Sequence, residues 1–250
     1  TGRPHHSCAT DRSSARHRPS AAGDSRDAMT SIFEQALGSD FSRLHPMMQR
    51  RFGVGLEAGY ASVGTGVMSR VRRGPWWTVP FLRIGKFRNI LIAETGNNVP
   101  FTIGNYPYRD PFGRETVTFV REYTVKATPS RFDATMIVSH GRIVDYLGTH
   151  QHLAVDLDVS VEADGSLHLT SGAQRFHEGP FSFRFPMLFS GRADLHESYD
   201  DEAGVYRMSM EVHNSVFGFL FGYEGEFTCE FPAATDAPHR LKPVRHEIRE

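Results

Sequence analysis

The sequence predicts an α+β protein that is mostly antiparallel β, built as one curved sheet or partly open barrel with a few covering helices. Three observations lead there. From Phe217 to Phe231, Phe217, Phe219, Phe221, Tyr223, Phe227, Cys229 and Phe231 share one parity, while Gly218, Gly222, Glu224, Glu226, Thr228 and Glu230 share the other. Successive side chains of a strand point to opposite faces, so this is one long strand with a dry aromatic face and a wet one. Similar alternating runs recur from Val99 onward at short spacing, joined by hairpin-length loops, which favours antiparallel order. Strand–helix alternation of the parallel α/β kind is not found.

The elements follow in chain order. Ser31 to Phe52 carries Phe33, Leu37, Phe41, Leu44 and Met48 near helical spacing, and Gly38 and Pro46 split the stretch into short pieces. Val63 to Val71 is expected as a first strand. Trp76 to Ile92 begins with a Gly-Pro turn, puts Pro80 early in a helix and carries Phe81, Ile84, Phe87 and Leu91. Glu115 to Val125 turns Val117, Phe119, Tyr123 and Val125 inward. Arg131 to His140 does the same with Phe132, Ala134, Met136 and Val138. Arg142 to Gly148 and His152 to Val161 follow, and Ala163-Asp164-Gly165-Ser166 is the clearest hairpin turn of the chain. Leu167 to Ser171 returns, Phe176 to Phe189 reads as an irregular Phe-rich link, and Gly191–Tyr199 pairs with Val205–His213 before the long last strand. About eight to ten strands in a lipocalin-like or START-like cup result.

Of 250 residues 39% are hydrophobic, enough for a sizeable core, and they are expected to form a single domain over residues 29–231. Residues 1–28 are polar and lack the apolar core of a secretory signal, so they are expected to be a disordered head. Met29 is the expected translation start; the alternative is a natural disordered tail. Residues 232–250 turn polar and are expected to be disordered. A net charge of −1 supplies no broad basic field, so nucleic acid is not an expected partner. Cys8 and Cys229 lie in unlike contexts, so no disulfide is expected and a cytoplasmic location fits. No cofactor is expected, since neither a P-loop, an H-E-x-x-H nor a C-x-x-C is present. His150 and His152 lack a third ligand at a known spacing, so no metal is expected either.

Three charges sit on otherwise dry parities: Arg121 between Phe119 and Tyr123, Asp145 between Ile143 and Leu147, and Glu197 between Leu195 and Tyr199. A charge on a dry face must be paired, hydrated or used, since burying it alone is costly. Two readings stand: a polar cluster in a cavity, with Arg121 fixing an anionic or carbonyl oxygen, or a structural ion pair. Asp145 carries the least weight, because Val144 and Tyr146 offer an apolar set of the opposite parity. The favoured function is binding of an apolar or amphipathic small molecule by Arg121, Tyr123, Glu197, Phe219, Phe221 and Tyr223, with Gly218 and Gly222 leaving room. The alternatives are an isomerase-, hydratase- or cyclase-type enzyme using Glu197 or Asp145 as general acid/base beside Arg121, and a structural or interaction module. Arg70 to Arg88 interleaves six cations with Trp76, Trp77, Phe81 and Phe87, which suits weak peripheral contact with an anionic membrane or a solvated helix face.

Read together, the segments resemble the DUF4166 family, a bacterial domain of unknown function. The resemblance rests on Leu44-His45-Pro46, Gly64-Thr65-Gly66, Arg72-Arg73-Gly74, Val120-Arg121-Glu122-Tyr123, Asp145-Tyr146-Leu147-Gly148, Pro186 to Gly191 leading to Glu197, and above all Val216 to Phe227. This copy departs from the family with Val120 where an aromatic is frequent and Asp145 where Glu is usual. The resemblance implies no known activity. It implies that such domains occur beside reductase-like or membrane-associated partners.

Overall fold

Ser31 opens the first helix by accepting a hydrogen bond from the Glu34 amide at 3.1 Å, which satisfies one of the free donors of a helix start. α1 (Ile32–Leu37) ends at Gly38 in left-handed backbone, a 3-10 turn (Gly38–Arg43) follows, and α2 (Pro46–Phe52) begins on its proline. Gly38 and Pro46 therefore divide the helical stretch as expected. The structure is a computed structural model that describes residues 1–2, 30–91, 93–125, 128–186, 190–234 and 236–250. The expected disordered head lies almost wholly outside the described residues.

The chain continues through β1 (Ser62–Arg73), α3 (Val79–Phe87), β2 (Gly96–Asn105), β3 (Pro107–Arg109), β4 (Glu115–Val125), β5 (Thr128–Ser139) and β6 (Arg142–Leu147). Then come β7 (Leu153–Val161), β8 (Leu167–Glu178), β9 (Phe181–Arg184), β10 (Arg192–Asp200), β11 (Val205–Asn214) and β12 (Gly218–Glu230). All pairings are antiparallel. β10 pairs with both β8 and β11, and β12 returns to β1, so the curved sheet closes into a ten-stranded barrel. Closure removes the unpaired edges that an open sheet would expose. β3 and β9 lie outside the ring, paired with β4 and β8.

The two ends of the barrel differ. α1 and α2 plug one end: the His45 amide donates to Gly165 O in the β7–β8 turn at 2.9 Å, and the Tyr206 hydroxyl to Met47 O at 3.0 Å. Behind the plug the interior is solid with rings, among them Phe33–Phe52 at 4.6 Å, Phe101–Tyr123 at 5.1 Å and Tyr206–Phe227 at 5.4 Å. α3 crosses the opposite end. It leaves β1 where the Gly74 amide donates to Leu220 O at 2.7 Å, and it lands on β5 and the β6–β7 loop. There Asn89 O accepts from the Asp133 amide at 2.8 Å and Arg88 O from the Thr149 amide at 3.2 Å. A Cβ on Gly148 would lie 2.4 Å from Arg88 O, so glycine permits this close seat.

Three expectations are corrected by the structure. The Phe-rich link is not irregular over its first half: β8 runs to Glu178 and hairpins into β9. A register shift between Val155 and Leu157 of β7, opposite Gln174 and Ser171 of β8, breaks the alternation that would have revealed the longer strand. β12 also carries a bulge, because Val212 faces Phe221 while the next residue, His213, faces Phe219. Leu220 and Phe221 therefore both turn inward, and Phe219 turns out onto the Arg72 guanidinium at 5.1 Å. The third correction is residues 232–250, which pack on the barrel instead of trailing as a disordered tail. Glu247 is gripped by Arg245 and Arg249 while its amide donates to the Gln151 side chain at 2.6 Å, and Ala234, Ala237 and Leu241 are buried. Beneath this segment lies a second small core of Ile137, Val144, Tyr146 and Ala154. That core is why Val144 and Tyr146 are apolar although they face away from the interior.

Candidate functional site

The inner faces of β4 to β8 and β10 to β12 bound a cavity of about 320 Å³ under α3. Its wall is apolar, with Phe132, Met136, Leu153, Phe176, Leu195 and Phe221 prominent, and Gly85, Ile90 and Leu91 close it from the lid side. Of its polar residues, three are tied into the scaffold. Gln174 donates to Gly191 O at 2.7 Å and accepts from Ser190, and Ser171 accepts from the Ala193 amide at 2.7 Å. The other two are Arg121 and Asp145.

Their placement follows from strand register. Arg121 on β4 pairs opposite Phe132 of β5, and Asp145 on β6 pairs opposite Met136, so the two charges flank β5 on a diagonal. Both are buried, and among the described residues they make no ion pair within 4.0 Å. Arg121 Nε and Asp145 Oδ1 have no hydrogen-bond partner among the described residues. The guanidinium instead lies over the Phe132 ring at 4.9 Å and the Phe119 ring at 5.8 Å. Burial pushes the Asp145 carboxyl up to about 7, and the nearby Arg121 charge offsets only part of that rise. At neutral pH the carboxyl therefore exchanges between a proton-donating and an anionic form. Buried polar atoms are rarely left without partners, so two of them in one cavity wall are the wall's distinguishing feature.

Glu197 lies elsewhere. It is inward on β10 but at the plugged end, outside the cavity wall, and paired with Arg51 of α2 through two nitrogens, the Nη2–Oε2 contact being 3.4 Å. Arg51 also donates to Ser62 Oγ and Asn105 Oδ1, each at 3.2 Å, and its guanidinium lies over Phe227 at 4.9 Å. This is a fully partnered buried pair that anchors the plug. Sequence reasoning passed over Arg51. Its signal was its position three residues after Met48 and one before Phe52, on the buried stripe of α2.

Of the other expected ligand contacts, Phe221 lines the cavity. Tyr123 and Tyr223 are buried deeper, their rings 5.3 Å apart, and Phe219 is outside. Burial and the neighbouring Tyr223 hold the Tyr123 phenol well above its ordinary range, so it stays protonated. Gly218 and Gly222 do not leave the room. Gly222 sits where a Cβ would come within 2.6 Å of Met210 O, and neither glycine lines the cavity. His152 is buried against the Phe176 ring at 5.9 Å, with Nδ1 2.7 Å from Glu178.

The sequence model of the family described as a domain of unknown function, DUF4166, matches residues 44–227. The chain belongs to the DUF4166 family. The match contains α3 and every residue that lines the cavity, and it ends within β12, before the packed C-terminal segment. An uncharacterised protein of Bacillus subtilis (strain 168), YndH, is 29% identical over 204 residues, which cover 81% of this chain and 98% of that protein. No helix among the described residues of this DUF4166 protein is long and apolar enough to cross a membrane.

Proposed function

We propose that this DUF4166 protein binds an amphipathic small molecule in the cavity beneath α3, with its apolar part against Phe132, Met136 and Phe221 and its polar head at Arg121 and Asp145. The observation that carries the reading is the pair of buried, unpartnered polar atoms, Arg121 Nε and Asp145 Oδ1, in an otherwise apolar wall. A cavity of about 320 Å³ is at the lower end of the ~300–1,000 Å³ usual for small-molecule sites. An acidic head group fits best: Arg121 supplies charge-assisted donors, and Asp145 adds a donor while protonated. Native mass spectrometry of the protein purified from a bacterial host tests this. A co-purifying small molecule that disappears in Arg121→Leu supports the reading, and a ligand-free wild type that also takes up no fatty acid removes it.

A second reading is favoured by one observation. A carboxyl raised to about 7 beside a cation is poised to move a proton at neutral pH, as a general acid/base in an isomerase, hydratase or cyclase would. In that case Asp145→Asn retains the ligand but loses turnover. If Asp145→Asn leaves conversion of the co-purified compound unchanged, the enzyme reading falls.

A further inference from the structure

The outer side of the cavity's lid is unusual for a protein surface. Trp76, 79% exposed, and Trp77, 55% exposed, form the 3-10 turn just before α3, and Phe87, 82% exposed, ends that helix, whose Leu82 is fully buried. Val216 and Phe217, in the turn leading into β12, are also exposed, and Leu220 just beyond them accepts from the Gly74 amide at the foot of the lid. Large aromatics exposed on and beside the helix that closes a cavity are candidates for a contact surface, since isolated monomers seldom expose large apolar patches.

The charges around this rim narrow the partner. Of the cations from Arg70 to Arg88, Arg72 is paired with Glu211 and Lys86 with Glu94, and Arg70 stands opposite Glu224 across the sheet. Arg73, Arg83 and Arg88 have no ion pair among the described residues, and Arg73 and Arg83 are exposed, one just before and one just after the tryptophans in the chain. Tryptophan with arginine is the composition of a bilayer interface: the indole sits at the headgroup level and the guanidinium meets an anionic phosphate.

We infer that the face formed by Trp76, Trp77, Arg83 and Phe87 docks on an anionic lipid bilayer and presents the lid of the cavity to it. The inference names the source from which the cavity would fill, and in that respect it rests on the binding reading. The docking surface itself stands on exposure and charge alone. Contact with the bilayer would act on α3, whose described seat on the barrel includes the backbone hydrogen bonds at Gly74, Asn89 and Arg88 and the packing of Leu82 and Leu91.

Both tryptophans of the chain lie on this face, so intrinsic fluorescence reports on it without a label. Vesicles of phosphatidylcholine alone and of equal parts phosphatidylcholine and phosphatidylglycerol are added to the full chain at low salt. The expected result is a blue shift and co-sedimentation with the mixed vesicles, little of either with the neutral ones, and reversal at high salt. The double variant Arg73→Glu/Arg83→Glu, altered only at exposed positions, retains its urea midpoint and loses binding at least tenfold, since each cation near such a surface is worth about fivefold. No shift with either vesicle overturns the inference. So does an equal shift with both, a shift unchanged in the double variant, or a shift that grows with protein concentration in the absence of lipid. Arg121→Leu separates the two proposals: it retains vesicle binding when docking is right, whether or not the cavity holds a ligand.

Discussion

Replacing Asp145 with asparagine should remove a large pH dependence of stability. The carboxyl is about 7 in the folded protein against 3.8 in an unstructured chain. Between those values the folded state holds a proton that the unfolded state has released, so stability falls as pH rises and levels off above about 7. The whole difference of roughly three pKa units corresponds to about 4 kcal/mol, and integration between about pH 5 and about pH 8 leaves about 2–3 kcal/mol in that window. Asp145→Asn preserves the shape and loses the titration, and among the described residues Arg121 is the charged group that acts on the carboxyl. Urea unfolding of both proteins at the two pH values gives the difference of differences, in which all other titrating groups cancel. The variant should gain on the wild type by that amount from the lower to the higher pH. Parallel pH profiles would mean that Asp145 is hydrated or ion-paired, and the reasoning about the cavity's polar corner would fail with them.

Arg51→Met strands Glu197 without its partner and should cost about 3–5 kcal/mol in urea unfolding, whereas Arg51→Met/Glu197→Leu recovers most of that loss. Gly148→Ala forces a side chain into left-handed backbone at φ +79 against Arg88 O, and should cost at least about 1–2 kcal/mol while speeding proteolysis of the α3 lid. Glu247 is held down to about 2, first by its hydrogen bonds from Arg249, so its contribution is present above the unfolded carboxylate value and lost as pH falls toward 2. Hydrogen exchange should accordingly show the C-terminal segment opening before the barrel in acid, and Glu247→Ala should open it at neutral pH.

The barrel was legible because period-two patterning survives in most strands. Leu153 to Val161 and Val205 to His213 alternate cleanly, and the expected turn at Ala163 to Ser166 forms with Gly165 in left-handed backbone. What misled the reading of the site was local and physical. The bulge at Phe219–Leu220 reverses parity within the most persuasive strand, so an aromatic expected inside lies outside and Leu220 lines the cavity. Asp145 had the weakest claim because Val144 and Tyr146 compete with it in pattern, and nothing local to that strand announces that a C-terminal segment far along the chain covers them. Glu197 and Asp145 look alike in sequence, each a carboxylate between apolar neighbours. Only the tertiary position of Arg51, contributed by a distant helix, makes one a paired anchor and leaves the other free in the cavity.

The central claim is that Arg121 receives the polar head of an amphipathic ligand. Calorimetric titration of two straight chains of equal length, one ending in a carboxylate and one in an alcohol, tests it most directly at about pH 6, roughly one unit below the Asp145 value of about 7, where that carboxyl is largely protonated. The account predicts that the wild type prefers the carboxylate by at least tenfold, since a hydrogen bond to a charged group is worth about 1.5–3 kcal/mol, and that Arg121→Leu binds the two chains alike. Discrimination should also shrink as pH rises through about 7 and Asp145 becomes anionic. Failure of the wild type to bind either chain, or a preference that survives in Arg121→Leu, would contradict the account.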